Sequence, residues 1–279
     1  MTILTRAAHR FPAYFDRLIE SFHAGHSGRH AHLGYWHPAP ETETSAIGFE
    51  EAQAALNEHL IAMTVPRSGS RILDVACGFG GLIQQLDHVV SGTELHGINL
   101  DDRQLNICQQ LRSNHGNVLR WQEADACDLP FADAMFDLIF CVEAIFHFQS
   151  REQFLSEAKR ILRPGGRLLL TDFTLKESSA LPAFCMEAVL TDGYGPWPDP
   201  WCRRGNVFQL LNAQGWQNIV CEDLTAETLP TYRHILPRGM DSARDPGDPA
   251  TRSALMLQWL QQNGHLTYDC IAAHTGASL

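Results

Sequence analysis

Arg71-Ile72-Leu73-Asp74-Val75-Ala76-Cys77-Gly78-Phe79-Gly80-Gly81 is the stretch that decides how this chain folds. Its apolar half, Ile72 to Ala76, has the length and composition of a buried strand. The run stops at glycines and a helical pattern restarts through Leu82, Ile83 and Leu86. A strand, a glycine turn and a helix N-terminus in that order form a nest of backbone amides for a small polar ligand. Glycine suits that turn because a Cβ would forbid positive φ and hold a ligand off the main chain. A dinucleotide fingerprint would put a third glycine where Ile83 stands, so a nicotinamide-dependent oxidoreductase is disfavoured.

Composition narrows the choices. With 279 residues, 44% of them hydrophobic, the chain can bury one substantial core, and one elaborated α/β domain is expected. A net charge of -11 with 21 Lys+Arg argues against nucleic acid or an anionic membrane and for a small-molecule partner. No run approaches the roughly 18 apolar residues of a membrane span, and Met1 to Phe15 lacks a secretory h-region. Eight cysteines occur without a CxxC pair; Cys77, Cys141, Cys221 and Cys270 sit in strand-like runs as small hydrophobes. A reduced, cytoplasmic setting without disulfides is expected. The histidines at 23, 26, 30, 32 and 37 fit no metal-ligand spacing, so no metal is expected. Nothing in the pattern specifies an oligomeric state.

Upstream, Phe11, Tyr14, Phe15 and Leu18 recur at helical spacing until Gly25 and Gly28, and Glu50 to Met63 gives a second helix. Downstream, Leu95–Leu100 reads as a strand and Asp101–Leu111 as a helix with Asp101 as N-cap. Val118–Glu123 reads as an edge strand and Phe136–Val142 as one covered on both faces. Phe154–Leu162 follows as a helix, and Arg163 to Gly166 turns into a strand over Arg167–Phe173. Lys176 to Arg204 reads as a long functional loop. Beyond it, Val207–Ala213, Thr231–Met240 and Arg252–Leu260 read as helices, and Asn218–Cys221 and Leu266–Ala272 as strands.

Four motifs then fall in order. They are His32-Leu33-Gly34-Tyr35-Trp36; Asp74 four residues ahead of Gly78; the Asp125-Ala126 turn before Leu129-Pro130-Phe131; and Arg160-Ile161-Leu162-Arg163-Pro164-Gly165-Gly166 before an apolar strand. Together they resemble class I S-adenosylmethionine-dependent methyltransferases, in particular natural-product sugar and aglycone O-methyltransferases of the rebeccamycin type. The resemblance is firm over about residues 30–175. It implies a Rossmann-like, doubly wound seven-stranded sheet with the last strand antiparallel. Residues 1–65 would form a helical cap, 66–175 the cofactor-binding core, and 176–279 a substrate lid after the fifth strand with the last two strands. It implies S-adenosylmethionine as cofactor and S-adenosylhomocysteine as product. Asp74 would help hold the methionine ammonium, and Ala76, Gly78 and Gly80 would let the backbone approach. Asn99, with Leu100, stands where most relatives place an acid for the ribose, so Asp101 or Gln104 is a candidate to share that contact. Asp125 would accept from the adenine amine and the Ala126 N–H would reach the ring.

The donor is already activated, so the protein has to align the acceptor, exclude water and, for a hydroxyl, remove a proton. His147 lies just past the carboxyl end of the fourth strand, where ligands sit in open α/β sheets, and is the candidate base. Asp172, near the end of the fifth strand, is expected to orient it. The matching His and Asp of rebeccamycin-type enzymes form a catalytic pair. Glu143 is a reserve base or a contact to the cofactor's methionine portion. Tyr14, Tyr35, Trp36, Phe148, Trp197 and Trp201 are expected to shape the acceptor pocket. The competing readings are C- or N-methylation with Glu143 as base, and a cofactor-binding cyclisation scaffold that transfers no methyl.

Overall fold

The apolar runs pair into one seven-stranded sheet in the computed structural model, which describes residue 11 and residues 13–37, 48–179, 184–236 and 247–276. The strands are β1 (Arg71–Val75), β2 (Glu94–Asn99), β3 (Val118–Glu123), β4 (Phe136–Cys141), β5 (Leu162–Leu175), β6 (Gln217–Asp223) and β7 (Leu266–His274). Their spatial order is 3-2-1-4-5-7-6. The first five run parallel, and β7 lies antiparallel between β5 and β6. The expected Rossmann-like sheet with its last strand reversed is therefore present.

Strand alternation assigns each side chain to one of two cores. Ile72, Leu138, Phe140 and Leu169 pack on one face, and Leu73, Val75, Ile139 and Leu168 on the other. Both faces of β1 and β4 are covered, which is why these strands read as continuous apolar runs. Inside β2, Gly97 stands opposite Trp121 of β3, and a Cβ there would overlap the indole and lie 3.0 Å from Cys77 Sγ. The glycine lets the ring lie flat on the strand.

Helices α1 (Ala13–His23), α2 (Phe49–Thr64), α3 (Gly81–Val89), α4 (Asp102–Cys108) and α5 (Arg151–Ile161) occupy the expected places. Asp101 caps α4 by accepting from the Arg103 N–H. That helix stops short of Leu111 because Gln110 and Leu111 bond three residues back and tighten the last turn. The stretch Lys176–Arg204, expected as a loop, contains a helix, α6 (Phe184–Tyr194). Met186 and Leu190 are buried one turn apart, and Gly193 is where α6 crosses α10 (Pro249–Gln262). A Cβ at Gly193 would lie 2.5 Å from the Pro249 carbonyl oxygen. Helix α7 (Arg204–Ala213) precedes β6; α8 (Thr225–Thr228), a 3₁₀ turn over Leu229–Thr231 and α9 (Tyr232–Ile235) follow it. The helix expected over Thr231–Met240 reduces to these turns up to residue 236, its remainder lying outside the described residues. The cysteines with described side chains are free thiols. No helix among the described residues is long and apolar enough to cross a membrane.

Gly97→Ala should lower the stability of the fold by about 1–3 kcal/mol, because the methyl must displace a packed indole. Denaturant unfolding followed by tryptophan fluorescence reads the change; an unshifted midpoint would mean the ring swings clear at no cost.

Candidate active site

The carboxyl ends of β1, β2 and β4 open into a cavity of about 540 Å³, roofed by α1 and the segment 29–32. It lies where strand order reverses between β1 and β4, the crevice that open α/β sheets use for ligands. Its floor is strained backbone. Ala76 at φ 58 and Glu143 at φ 50 leave the ends of β1 and β4 in the left-handed region that non-glycine residues avoid. Gly78, at φ 54, lines the cavity, and a Cβ there would meet nothing within 4 Å, so any side chain would project into open space. Gly80, expected to face the same ligand, does not line the cavity. A Cβ on it would lie 2.9 Å from Leu111 and 3.0 Å from Trp121, so it is a packing glycine at the N-cap of α3. Gly81 takes its place on the wall, close under His30.

Polar side chains surround this floor. Asp74 is almost fully buried, and burial pushes its carboxyl up to about 8. Asn99 donates to Gln104 Oε1 at 3.1 Å and accepts from the Asp101 N–H at 3.1 Å; Asn99, Leu100 and Gln104 line the cavity. Of the two candidates to share the Asn99 contact, Gln104 is on the wall. Asp101 is turned away, forked by Arg103 Nε and Nη2 at 2.9 and 2.8 Å. Asp125 accepts from the Cys127 N–H at 2.8 Å, a turn that presents Asp125 and Ala126 to the cavity.

His147 and Glu143 both line the cavity, but the expected pairing of His147 with Asp172 is not formed. His147 Nδ1 bonds the Pro196 carbonyl oxygen at 2.7 Å. Asp172 is fully buried and its two oxygens accept from Arg151 Nε and Nη2 at 2.9 and 3.1 Å. A guanidinium fork matches a carboxylate better than an imidazole does, and burial makes the unpaired alternative costly. Burial lowers His147 to about 4. Glu143 Oε1 accepts from the Leu33 N–H at 2.7 Å and the Tyr268 hydroxyl at 2.8 Å, and burial still raises this carboxyl to about 7.

Of the six expected pocket aromatics, Tyr14 and Phe148 line the cavity. The other four pack elsewhere. Trp36 is buried with its indole donating to Thr231 Oγ1 at 3.0 Å, and Tyr35 stacks on His59. Trp197 stacks on Phe146 at 4.2 Å beneath His147, and Trp201 packs against the core. Large aromatics bury most of their area wherever a core is within reach. Residues not singled out individually from the sequence include Arg29, Asn57 and Tyr194 on the wall, with His30 and His32 beside them. One signal for them existed. Gln53 and Asn57 sit one turn apart in α2 among buried apolar residues, and Gln53 donates to the His30 and His32 carbonyls at 3.1 and 2.7 Å.

Residues 73–170 match the family model described as a methyltransferase domain. Methyltransferase GfsG of Streptomyces halstedii is 32% identical over 80% of this chain and 78% of its own length. The chain belongs to the class I S-adenosylmethionine-dependent methyltransferases. O-methyltransferase cnsE of Penicillium expansum is 26% identical over 85% of this methyltransferase and 83% of that one. Among solved structures, the 4+2 cyclase SpnF superposes with a TM-score of 0.71 at 20% identity, over 95% of this chain and 93% of the other, a likeness of fold. The cofactor of this methyltransferase is S-adenosylmethionine, and the cavity fits it: an open-sided glycine at the end of β1, and acids and amides at the ends of β1, β2 and β3 for its amine, ribose and adenine donors.

Two outcomes follow. Asp172→Ala leaves Arg151 buried without its partner and should cost about 3–5 kcal/mol in denaturant unfolding; a loss under about 1 kcal/mol would remove the structural role. Glu143 holds its proton in the folded state up to about pH 7, whereas the unfolded chain releases it near 4.5. Its contribution is therefore complete below the unfolded value and lost as pH rises through the folded one. Glu143→Gln should match the parent near pH 4 and exceed it by about 1–3 kcal/mol near pH 8; a constant difference would contradict the raised carboxyl.

Proposed function

We propose that this methyltransferase transfers a methyl group to a hydroxyl of a small-molecule secondary metabolite, as in antibiotic biosynthesis, with His147 as general base. The bond from His147 Nδ1 to the Pro196 carbonyl carries this reading. A carbonyl only accepts, so Nδ1 keeps the proton and Nε2 keeps a free lone pair on the cavity wall. The lowered pKa keeps the ring neutral near pH 7, so it is available as a base without prior deprotonation. The likeness to an O-methyltransferase supports oxygen as the accepting atom.

S-adenosylmethionine supplies an electrophilic methyl on a sulfonium. Asp74, Asn99, Gln104, Asp125 and the backbone at Ala76, Gly78 and Ala126 would hold it. Phe11, Tyr14, Phe15 and Phe148 wall off the acceptor side from water. His147 Nε2 would take the hydroxyl proton as the acceptor oxygen gains the methyl, whose bond to sulfur breaks to leave S-adenosylhomocysteine. Asp172 enters only by fixing Arg151, which also donates to the Asp199 carbonyl in the segment carrying Pro196. Tyr14 of the N-terminal cap meets Tyr194 of the lid edge to face, ring centres 5.3 Å apart, which supports the cap and the segment after β5 as the two covers of one chamber.

The near-neutral Glu143 favours a second reading, C- or N-methylation with this carboxylate as base and the surrounding tyrosines steadying a cationic centre. A scaffold that binds the cofactor without transfer is the third. Methyl-labelled cofactor, a panel of hydroxylated acceptors and the His147→Ala variant separate them. Label on oxygen, a fall of roughly 10²–10⁴-fold in the variant and unchanged S-adenosylhomocysteine affinity are expected. Full activity in His147→Ala with loss in Glu143→Gln would transfer the role to the carboxylate, and label in no product would favour the scaffold.

A further inference from the structure

The cap-side wall of the cavity holds polar atoms that the reaction above does not use. His32 Nδ1 bonds the Leu33 carbonyl at 2.8 Å, so the proton is on Nδ1 and Nε2 is an acceptor. That Nε2 is buried and has no hydrogen-bond partner. Asn57 is fully buried; its Nδ2 donates to His30 Nδ1 at 3.2 Å, and its Oδ1 has no partner. Glu143, held through Oε1 by the Leu33 amide next to His32, leaves Oε2 without a hydrogen bond among the described residues, an acceptor once the carboxyl ionises above about pH 7. All three residues line the one cavity. Orphaned acceptors in such a place are costly unless a ligand or water donates to them.

The ionisable side chains on the wall turn little positive charge toward the cavity. Asp74, Asp125 and Glu143 are the acids. Arg29 is the one arginine or lysine among the described lining residues, and its guanidinium is turned to the Phe79 and Ile107 carbonyls at 2.8 and 3.4 Å. His30, His32 and His147 are kept neutral by burial, at about 4, 3 and 4. Nothing there offers a cation to an anionic acceptor.

We infer that His32 Nε2, Asn57 Oδ1 and Glu143 Oε2 form a subsite for a hydrogen-bond-donating group of the acceptor, an ammonium or a hydroxyl remote from the methylated atom, and that this subsite turns away carboxylates and phosphates. The inference rests on the cavity being shared by cofactor and acceptor, and it sets acceptor class through residues outside the methyl-transfer step.

The test uses the S-adenosylhomocysteine-loaded enzyme and three probes with one skeleton: tyramine, tyrosol and 4-hydroxyphenylacetate. Binding is read by ligand-observed NMR and calorimetry, without turnover, so failure here is separable from failure of the O-methylation reading, which is scored on labelled product. Tyramine and tyrosol should bind at least about tenfold more tightly than the carboxylate. His32→Phe and Asn57→Leu should each shrink that ratio to about twofold or less while S-adenosylhomocysteine affinity holds; circular dichroism checks each fold, and His32→Gln, which keeps an acceptor, should retain the preference. Equal binding of the three probes, binding of none, or a ratio that survives in both apolar variants would overturn the subsite. Loss of S-adenosylhomocysteine affinity in the apolar variants would assign the acceptors to the cofactor's own ammonium and overturn it equally.

Discussion

Two adjacent strands leave the sheet through backbone that ordinary residues avoid, and the cavity depends on it. Ala76 and Glu143, at the ends of β1 and β4, each hold a positive φ that costs on the order of 1–3 kcal/mol. The strain is held by bonds on either side. The Cys77 N–H donates to the Ile98 carbonyl at 2.9 Å, and the Glu143 N–H to Thr171 Oγ1 at 2.8 Å, an oxygen that also lies 3.1 Å from the Tyr268 hydroxyl oxygen. Had both strands continued into ordinary turns, their loops would close over the switch point. Left-handed exits splay them apart, and the crevice between them takes a ligand.

Rigidity behind the crevice comes from one desolvated ion pair. Arg151 of α5 grips Asp172 of β5 and reaches the Asp199 carbonyl, tying a helix, a central strand and the segment from Pro196 to Trp201 into one unit. Trp197, stacked on Phe146, fills the space beneath that segment. His147 is then oriented by a backbone carbonyl whose position the ion pair maintains. Asp172 matters to the imidazole at one remove, through the arginine.

The sheet was legible because its signals are local: apolar runs bounded by glycine and proline, and an Asp-to-glycine spacing tied to one ligand class. Much of the cavity wall at the ends of β1, β2 and β3 was legible for the same reason, from Asp74 through Asn99 to Asp125. What escaped depends on contacts distant in sequence. Nothing in Ala76 or Glu143 announces a positive φ. Nothing local to Gly193 shows that α10 packs against it. Trp36 and Trp197 read as pocket walls because they are large and aromatic, and the same property buries them in the core. Asp172 was singled out from the sequence but given the wrong partner, since Arg151 precedes it by a helix and a strand. The polar pair Gln53 and Asn57 on a buried helix face was the overlooked clue to the cap-side wall.

The most direct test of the account is a calorimetric titration of the purified protein and its Gly78→Val variant with S-adenosylhomocysteine. The open-sided cradle predicts exothermic one-to-one binding to the parent, and at least about hundredfold weaker binding to a variant that remains folded, since the added side chain fills the space a nucleoside needs. No heat from the parent, or equal affinity in both proteins, would contradict it.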